Sequence, residues 1–196
     1  MSLSQQLDAL ESSSLIQIFA TQPELAYLFR HALVQEAAYS AVLHADRRHL
    51  HRIVGQTLEH LYVDRLDAVA GLLAEHYTKA ADDAKAAEYA IRAGDAAERM
   101  YAHPEARGHF ARARAALARL PTSADNDRRQ VDTILKQVSV SLRADGPQQS
   151  LVRLREAEAI LDRCADARDP VYADRLRRAR IHFWMGHINV HAGRMR

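Results

Sequence analysis

The stretch Ala84-Lys85-Ala86-Ala87-Glu88-Tyr89-Ala90-Ile91-Arg92-Ala93-Gly94, continued by Ala106, Phe110, Ala113 and Pro121, decides the fold. Alanine dominates it, and alanine is the strongest helix former as well as a small one. Counted from Gly94, Ala106 lies twelve residues on, Phe110 sixteen and Ala113 nineteen. Small residues at these points let two helices cross at close range, with Phe110 filling the groove between them. Pro121 closes the second helix.

That set resembles the tetratricopeptide repeat, a hairpin of two helices about 34 residues long whose crossing positions are small. A second copy is expected at 181–194, where Trp184, Gly186 and Gly193 mark a first helix running into its turn. The second helix of that copy would be truncated. The chain is therefore expected to be part of a longer protein, and the apolar face left near Trp184 to offer a dimer contact.

Outward from the hairpin the period stays helical from His31 onward. Breaks fall at Asp46, Asp64, Asp82, His103-Pro104, 121–125, Gly146-Pro147 and Asp169-Pro170, each suited to a helix start or stop. Apolar stripes run through Leu50, Ile53, Val54, Leu58 and Leu61, and then through Val69, Leu72, Leu73 and Tyr77. The segments 126–144 and 148–165 carry stripes of their own (Ile134, Leu135, Val138, Leu142; Leu151, Leu154, Ala157, Ile160, Leu161) but match the repeat poorly. Short turns between such helices make successive ones antiparallel. Before His31 the pattern differs. Leu3, Leu7 and Leu10 stripe a short helix ended by Ser12-Ser13-Ser14. Leu15–Phe19 and Leu25–Phe29 are extended runs around a turn at Thr21-Gln22-Pro23-Glu24, a hairpin.

Composition sets limits on function. Among 196 residues, 27 Lys and Arg nearly balance 25 Asp and Glu, too even for a nucleic-acid footprint. The single cysteine, Cys164, suits a reducing compartment. No apolar run reaches the ~18 residues of a membrane helix, and residues 1–14 show no charged region followed by a hydrophobic one. A cytoplasmic location without membrane contact is expected.

Tyr27-Leu28-Phe29-Arg30-His31-Ala32-Leu33-Val34-Gln35-Glu36-Ala37-Ala38-Tyr39, Arg47-Arg48-His49-Leu50-His51, Leu73-Ala74-Glu75-His76-Tyr77, Lys85-Ala86, Tyr89, Ala93-Gly94 and Ala106 occur in that order. Together they resemble the region after the ATPase module in bacterial signal-transduction ATPases with numerous domains, often fused to class III adenylate or guanylate cyclases or to DNA-binding output domains. The resemblance covers about residues 7–121. It implies the C-terminal part of a winged-helix domain at 1–62, with the wing at 15–29, and tetratricopeptide-like helical repeats at 63–196. It also implies contacts between domains through Arg30, His31, Gln35, Arg47, Arg48 and His51. The missing ATPase module of the same chain would be one partner. A protein, peptide or small-molecule effector on the repeats would be another.

No phosphate-binding loop occurs, since Gly94, Gly108 and Gly146 stand alone. His44, His49, His51 and His60 crowd one region, but His49 and His51 lie two apart on a helix and point away from each other. His187 and His191 share a face without a third ligand nearby. Glu75-His76 beside Tyr77, and Glu36 near His31, are better placed for hydrogen bonds than for acid-base work. No catalytic residue, cofactor or metal is expected, and the chain is not expected to be an enzyme. The expected architecture is mainly all-α, antiparallel helix hairpins forming a tetratricopeptide-like superhelix, with one short β-hairpin near the N-terminus. The expected role is that of a regulatory or sensor part of a larger ATPase or cyclase-type regulator. The alternative is a DNA-binding winged-helix transcription regulator, against which the helix Leu3–Glu11 offers two acids and no base.

Overall fold

The computed structural model describes residues 2–21, 25–164, 172–191 and 193. Among them the chain forms eight α-helices and one two-stranded antiparallel hairpin, a mainly-α fold. It divides into two compact units, 1–49 and 50–196.

In the first unit α1 (Leu3–Ser12) begins with a capping box. The Ser2 hydroxyl accepts the Gln5 amide while the Gln5 side chain accepts the Ser2 amide. The serine run ends it, with Ser14 at φ 58°. Strands β1 (Ile16–Ala20) and β2 (Ala26–Phe29) pair Ile16 with Phe29 and Ile18 with Tyr27, and a bulge lies between Ile18 and Ala20. Residues 22–24 of the expected turn lie outside the described residues. Helix α2 (Ala32–Ala41) follows, and α3 (His44–Leu61) runs from the first unit into the second. Ile16 is the one buried side chain among the described residues of 2–49, while Leu3, Phe19, Leu33 and Leu43 are each at least two-thirds exposed.

The second unit adds a short 3-10 turn (Val63–Arg65), α4 (Leu66–Lys79), α5 (Asp83–Arg99), α6 (His103–Leu117), α7 (Ala124–Cys164) and α8 (Tyr172–His191). Local signals start these helices where the sequence expects. The Asp82 carboxylate accepts the Lys85 amide at the head of α5, Pro104 occupies the first turn of α6, and the Ser123 hydroxyl accepts the Asn126 amide. Helix α7 is two helices, because Gly146 at φ 74° and ψ 171° breaks it just before Pro147. The break expected at Asp169-Pro170 lies outside the described residues, as does the end of the stretch 181–194 at residues 192 and 194.

Within the second unit each helix packs antiparallel on the next. Asp83 at the start of α5 meets Arg119 just beyond the end of α6, while Gly94 further along α5 meets Phe110 nearer the start of α6. Arg107 and Arg114 of α6 reach Asp145 and Gln137 of α7 in reversed order. Arg163 returns to Asp127 and Arg153 to Ser141, so the two halves of α7 form another hairpin about Gly146.

Helices also pack parallel on their next-but-one neighbours. Glu59 of α3 bonds Lys85 and Tyr89 of α5, 26 and 30 residues on. Lys136 and Ser139 in the first half of α7 reach back to Asp95 and Glu98 of α5, each 41 residues earlier. Arg114 of α6 and Glu156 in the second half of α7 are 42 apart, and the pairs Arg128–Asp174 and Asp132–Arg177 are 46 and 45 apart. Antiparallel to the next helix and parallel to the one after is the register of stacked hairpins. The middle pair, a poor match to the repeat by residue type, takes the same place in the stack.

The cores follow this layering. Ala70, Leu73, Tyr77, Ala86, Ala90 and Leu117 are buried together, and Ala106, Phe110 and Val140 form the next cluster. Val131, Leu135, Leu154, Ile181 and Ile188 form the last. One expected stripe faces inward only at Leu58, which packs against the first core cluster. Leu50, Ile53, Val54 and Leu61 of α3 are exposed, and the face turned to α4 carries Gly55 and His51 instead. The Tyr77 ring is so close to Gly55 that an added Cβ would lie 2.9 Å from its Cζ, so the smallest residue, not the apolar stripe, sets that contact. In α4, Leu72 likewise faces out while Leu73 and Tyr77 are buried.

Candidate functional site

The α5–α6 turn and the Gly146 break bring two helix ends side by side. Tyr101, at φ 58°, donates its amide to the Glu98 carbonyl at 2.9 Å, and α6 begins two residues later at His103. Opposite, the first half of α7 ends at Arg143, Ala144 and Asp145 because Gly146 leaves helical geometry. Between them is a cavity of about 460 Å³. Pro104, Val140 and Leu142 supply its apolar lining, and His103, Arg107 and Arg143 supply basic groups. Among the described residues no acidic side chain lines it.

Arg107 and Pro104 also line a second hollow of about 330 Å³ on their other side, together with Asp145 and Arg153. The Arg107–Asp145 ion pair, at 3.1 Å, lies where the two meet. Asp145 is shared, since Arg153 binds its second oxygen and also donates to the Ser141 hydroxyl at 3.4 Å. Burial pushes the Asp145 carboxyl upward, but hydrogen bonds from Arg153 and Ser141 and the charges of both arginines outweigh it, so it titrates below its ordinary value. One carboxylate thus serves two guanidiniums. Arg143 is exposed and has no ion pair among the described residues. Glu98 accepts from Ser139 on the cavity wall at 3.1 Å, and Glu105 lies in the first turn of α6 between the lining residues Pro104 and Arg107.

A second polar cluster ties α3, α4 and α5. Lys85 Nζ donates to both oxygens of Glu59 at 2.7 and 2.8 Å and to the Tyr77 hydroxyl at 3.1 Å, while the Tyr89 hydroxyl donates to Glu59 at 2.6 Å. The two tyrosine rings stack at 5.7 Å. Burial raises Glu59, but the bonds from Lys85 and Tyr89 bring it below its ordinary value; burial and Glu59 together push the Tyr89 phenol well up. These bonds connect one helix to another, so the cluster is a brace of the array.

Arg30, His31 and Gln35 have exposed side chains. The Arg30 amide closes the hairpin on the Leu15 carbonyl, and the His31 carbonyl accepts the amides of Val34 and Gln35 at the head of α2. Arg47 stacks over the Tyr39 ring at 5.0 Å, and Arg48 is exposed. His51 belongs to the second unit, where its Nδ1 lies 3.0 Å from His76 Nδ1. Glu75 is engaged by Lys79 at 2.7 Å. Among the described residues no three His, Cys, Asp or Glu side chains converge as metal ligands would. Burial raises the Cys164 thiol, which opposes thiolate formation. No helix among the described residues is long and apolar enough to cross a membrane.

Arg107 and Arg143 of the cavity, and Asp145 and Arg153 of the hollow beside it, carry no motif in the sequence. Their one signal is the Gly146-Pro147 stop, which places a basic residue in the last turn of the preceding helix. The chain matches no family model, no curated protein and no solved structure.

Proposed function

We propose that this chain is a non-catalytic regulatory part of a larger signalling ATPase or cyclase-type regulator. In this reading the helical repeats of 63–196 bind an effector, and residues 1–62, as the end of a winged-helix domain, couple that binding to an ATPase module and an output domain. A ligand achieves this only by favouring one arrangement of the helices over another.

The observation that carries the reading is the surface of the first unit. It buries one side chain among its described residues and leaves Leu3, Phe19, Leu33 and Leu43 in water. At roughly 25 cal/mol per Å² of apolar surface removed from water, such a unit gains little by folding alone and much from a module that covers it. Amide hydrogen exchange tests this. In the isolated chain the 16–29 hairpin should exchange far faster than the buried helices α5 and α6, and in the natural gene product, with its ATPase module, it should become protected. Equal protection of the hairpin and α5 in the isolated chain would contradict the reading.

A further inference from the structure

We propose that the cavity between the start of α6 and the end of the first half of α7 is a binding site for a small organic anion with an apolar body. This deepens the regulatory reading by naming the effector class, and it rests on that reading only for its biological role. Three independent features support it. The volume, about 460 Å³, falls within the ~300–1,000 Å³ of ordinary small-molecule sites. Its lining divides into an apolar part at Pro104, Val140 and Leu142 and a basic part at His103, Arg107 and Arg143. The charges of the lining itself are unbalanced toward the positive. Arg107 and Arg153 share the single carboxylate of Asp145, and Arg143 has no ion pair among the described residues.

The two arginines of the lining differ in function. Arg107 is fixed by Asp145, so it is preorganised and loses little freedom on binding. Arg143 is uncommitted, and its guanidinium offers a planar fork of donors suited to a carboxylate, sulfonate or phosphate. The first turn of α6 has no side-chain cap on its amides, and the partial positive charge of that helix end is opposed there by Glu105, so the arginines carry the attraction. An inorganic anion alone would leave the apolar lining in water, and a neutral apolar molecule would leave Arg143 unanswered. Only a molecule with both parts uses the whole cavity.

The test uses two dyes with the same aromatic body, 8-anilinonaphthalene-1-sulfonate and the uncharged N-phenyl-1-naphthylamine, in fluorescence titrations of the whole chain. Ala144→Trp fills the cavity from an exposed helical position, so the signal lost in that variant is the signal of the cavity. For this signal the sulfonate should bind with one-to-one stoichiometry and at least tenfold more tightly than the neutral dye. Arg143→Ala should reduce the preference to less than twofold, and Arg143→Lys should restore part of it. Both positions are exposed, so the variants should melt with the parent, which circular dichroism checks. Equal affinity for the two dyes, sulfonate binding unchanged in Ala144→Trp or in Arg143→Ala, or no saturable sulfonate binding would each overturn the proposal. None of these results bears on exchange at 16–29, so the ligand class and the regulatory reading fail separately.

Discussion

Replacing Gly94 by alanine should destabilise the array, although the same change in a free helix stabilises it. An alanine Cβ at this position would lie 2.7 Å from Phe110 Cδ1 and 2.8 Å from Cζ, closer than Cβ atoms approach other atoms. The ring is fully buried with Ala106 and Val140, so it has no free space into which to turn. Overpacking of this kind costs about 1–3 kcal/mol. Relief of glycine's helix penalty returns about 0.5–1 kcal/mol, which leaves a net loss of roughly 0.5–2 kcal/mol. Gly108 is the internal control. It lies in α6, and a Cβ there meets nothing within 4 Å, so Gly108→Ala should gain about 0.5–1 kcal/mol. Urea unfolding followed by circular dichroism reads both changes from the shift in midpoint at constant slope. Phe110→Ala is destabilising by itself, but adding Gly94→Ala to it should then cost nothing, a positive coupling of the two sites. If Gly94→Ala and Gly108→Ala stabilise equally, or if Gly94→Ala costs the same with and without the Phe110 ring, the close-crossing argument is wrong.

Gly146→Ala should destabilise by about 1–3 kcal/mol, because φ 74° with ψ 171° is a conformation open almost only to glycine; an unchanged urea midpoint would contradict it. Glu59→Gln should cost about 1–2 kcal/mol and flatten the acid limb of stability. The Glu59 carboxyl is lowered in the fold, so its contribution is complete above its ordinary 4.5 and lost as pH falls through the lower folded value. The comparison is urea midpoints of parent and variant between pH 7 and 3. Burial lowers His76 and His109 below the ordinary 6.5, so both resist protonation in the fold. Stability should be complete above pH 6.5 and fall as pH drops through the lower folded values, and replacing both by glutamine should remove most of the slope between pH 6.5 and 5.

The α5–α6 hairpin was legible because its determinants are local and simple. Gly94, Ala106, Phe110 and Ala113 occupy fixed offsets on two helices, and all four are buried. The break at Gly146 was legible for the same reason, since glycine before proline stops a helix whatever surrounds it. The buried face of α3 was not. Leu50, Ile53, Val54 and Leu61 make a stripe by periodicity, but whether a stripe is covered depends on which neighbour approaches, and Gly55 admits Tyr77 on another face. The candidate cavity was illegible for a related reason. Arg107 and Arg143 come from different helices, and they line one cavity only because the turn at Tyr101 and the stop at Gly146 fall at the same level of the stack. Sequence offsets of 26 to 46 residues between parallel neighbours vary too much to be read as a period.

The proposed regulatory role is tested most directly by phosphate release from ATP, measured for the isolated chain and for the longer product that the proposal expects, this chain joined to an ATPase module, the latter with and without Gly94→Ala in the α5–α6 hairpin. The account predicts no phosphate release by the isolated chain, and turnover by the longer product whose response to effector is altered when the α5–α6 crossing is disturbed. Hydrolysis by the isolated chain, or a longer product whose regulation is indifferent to the α5–α6 hairpin, would contradict it.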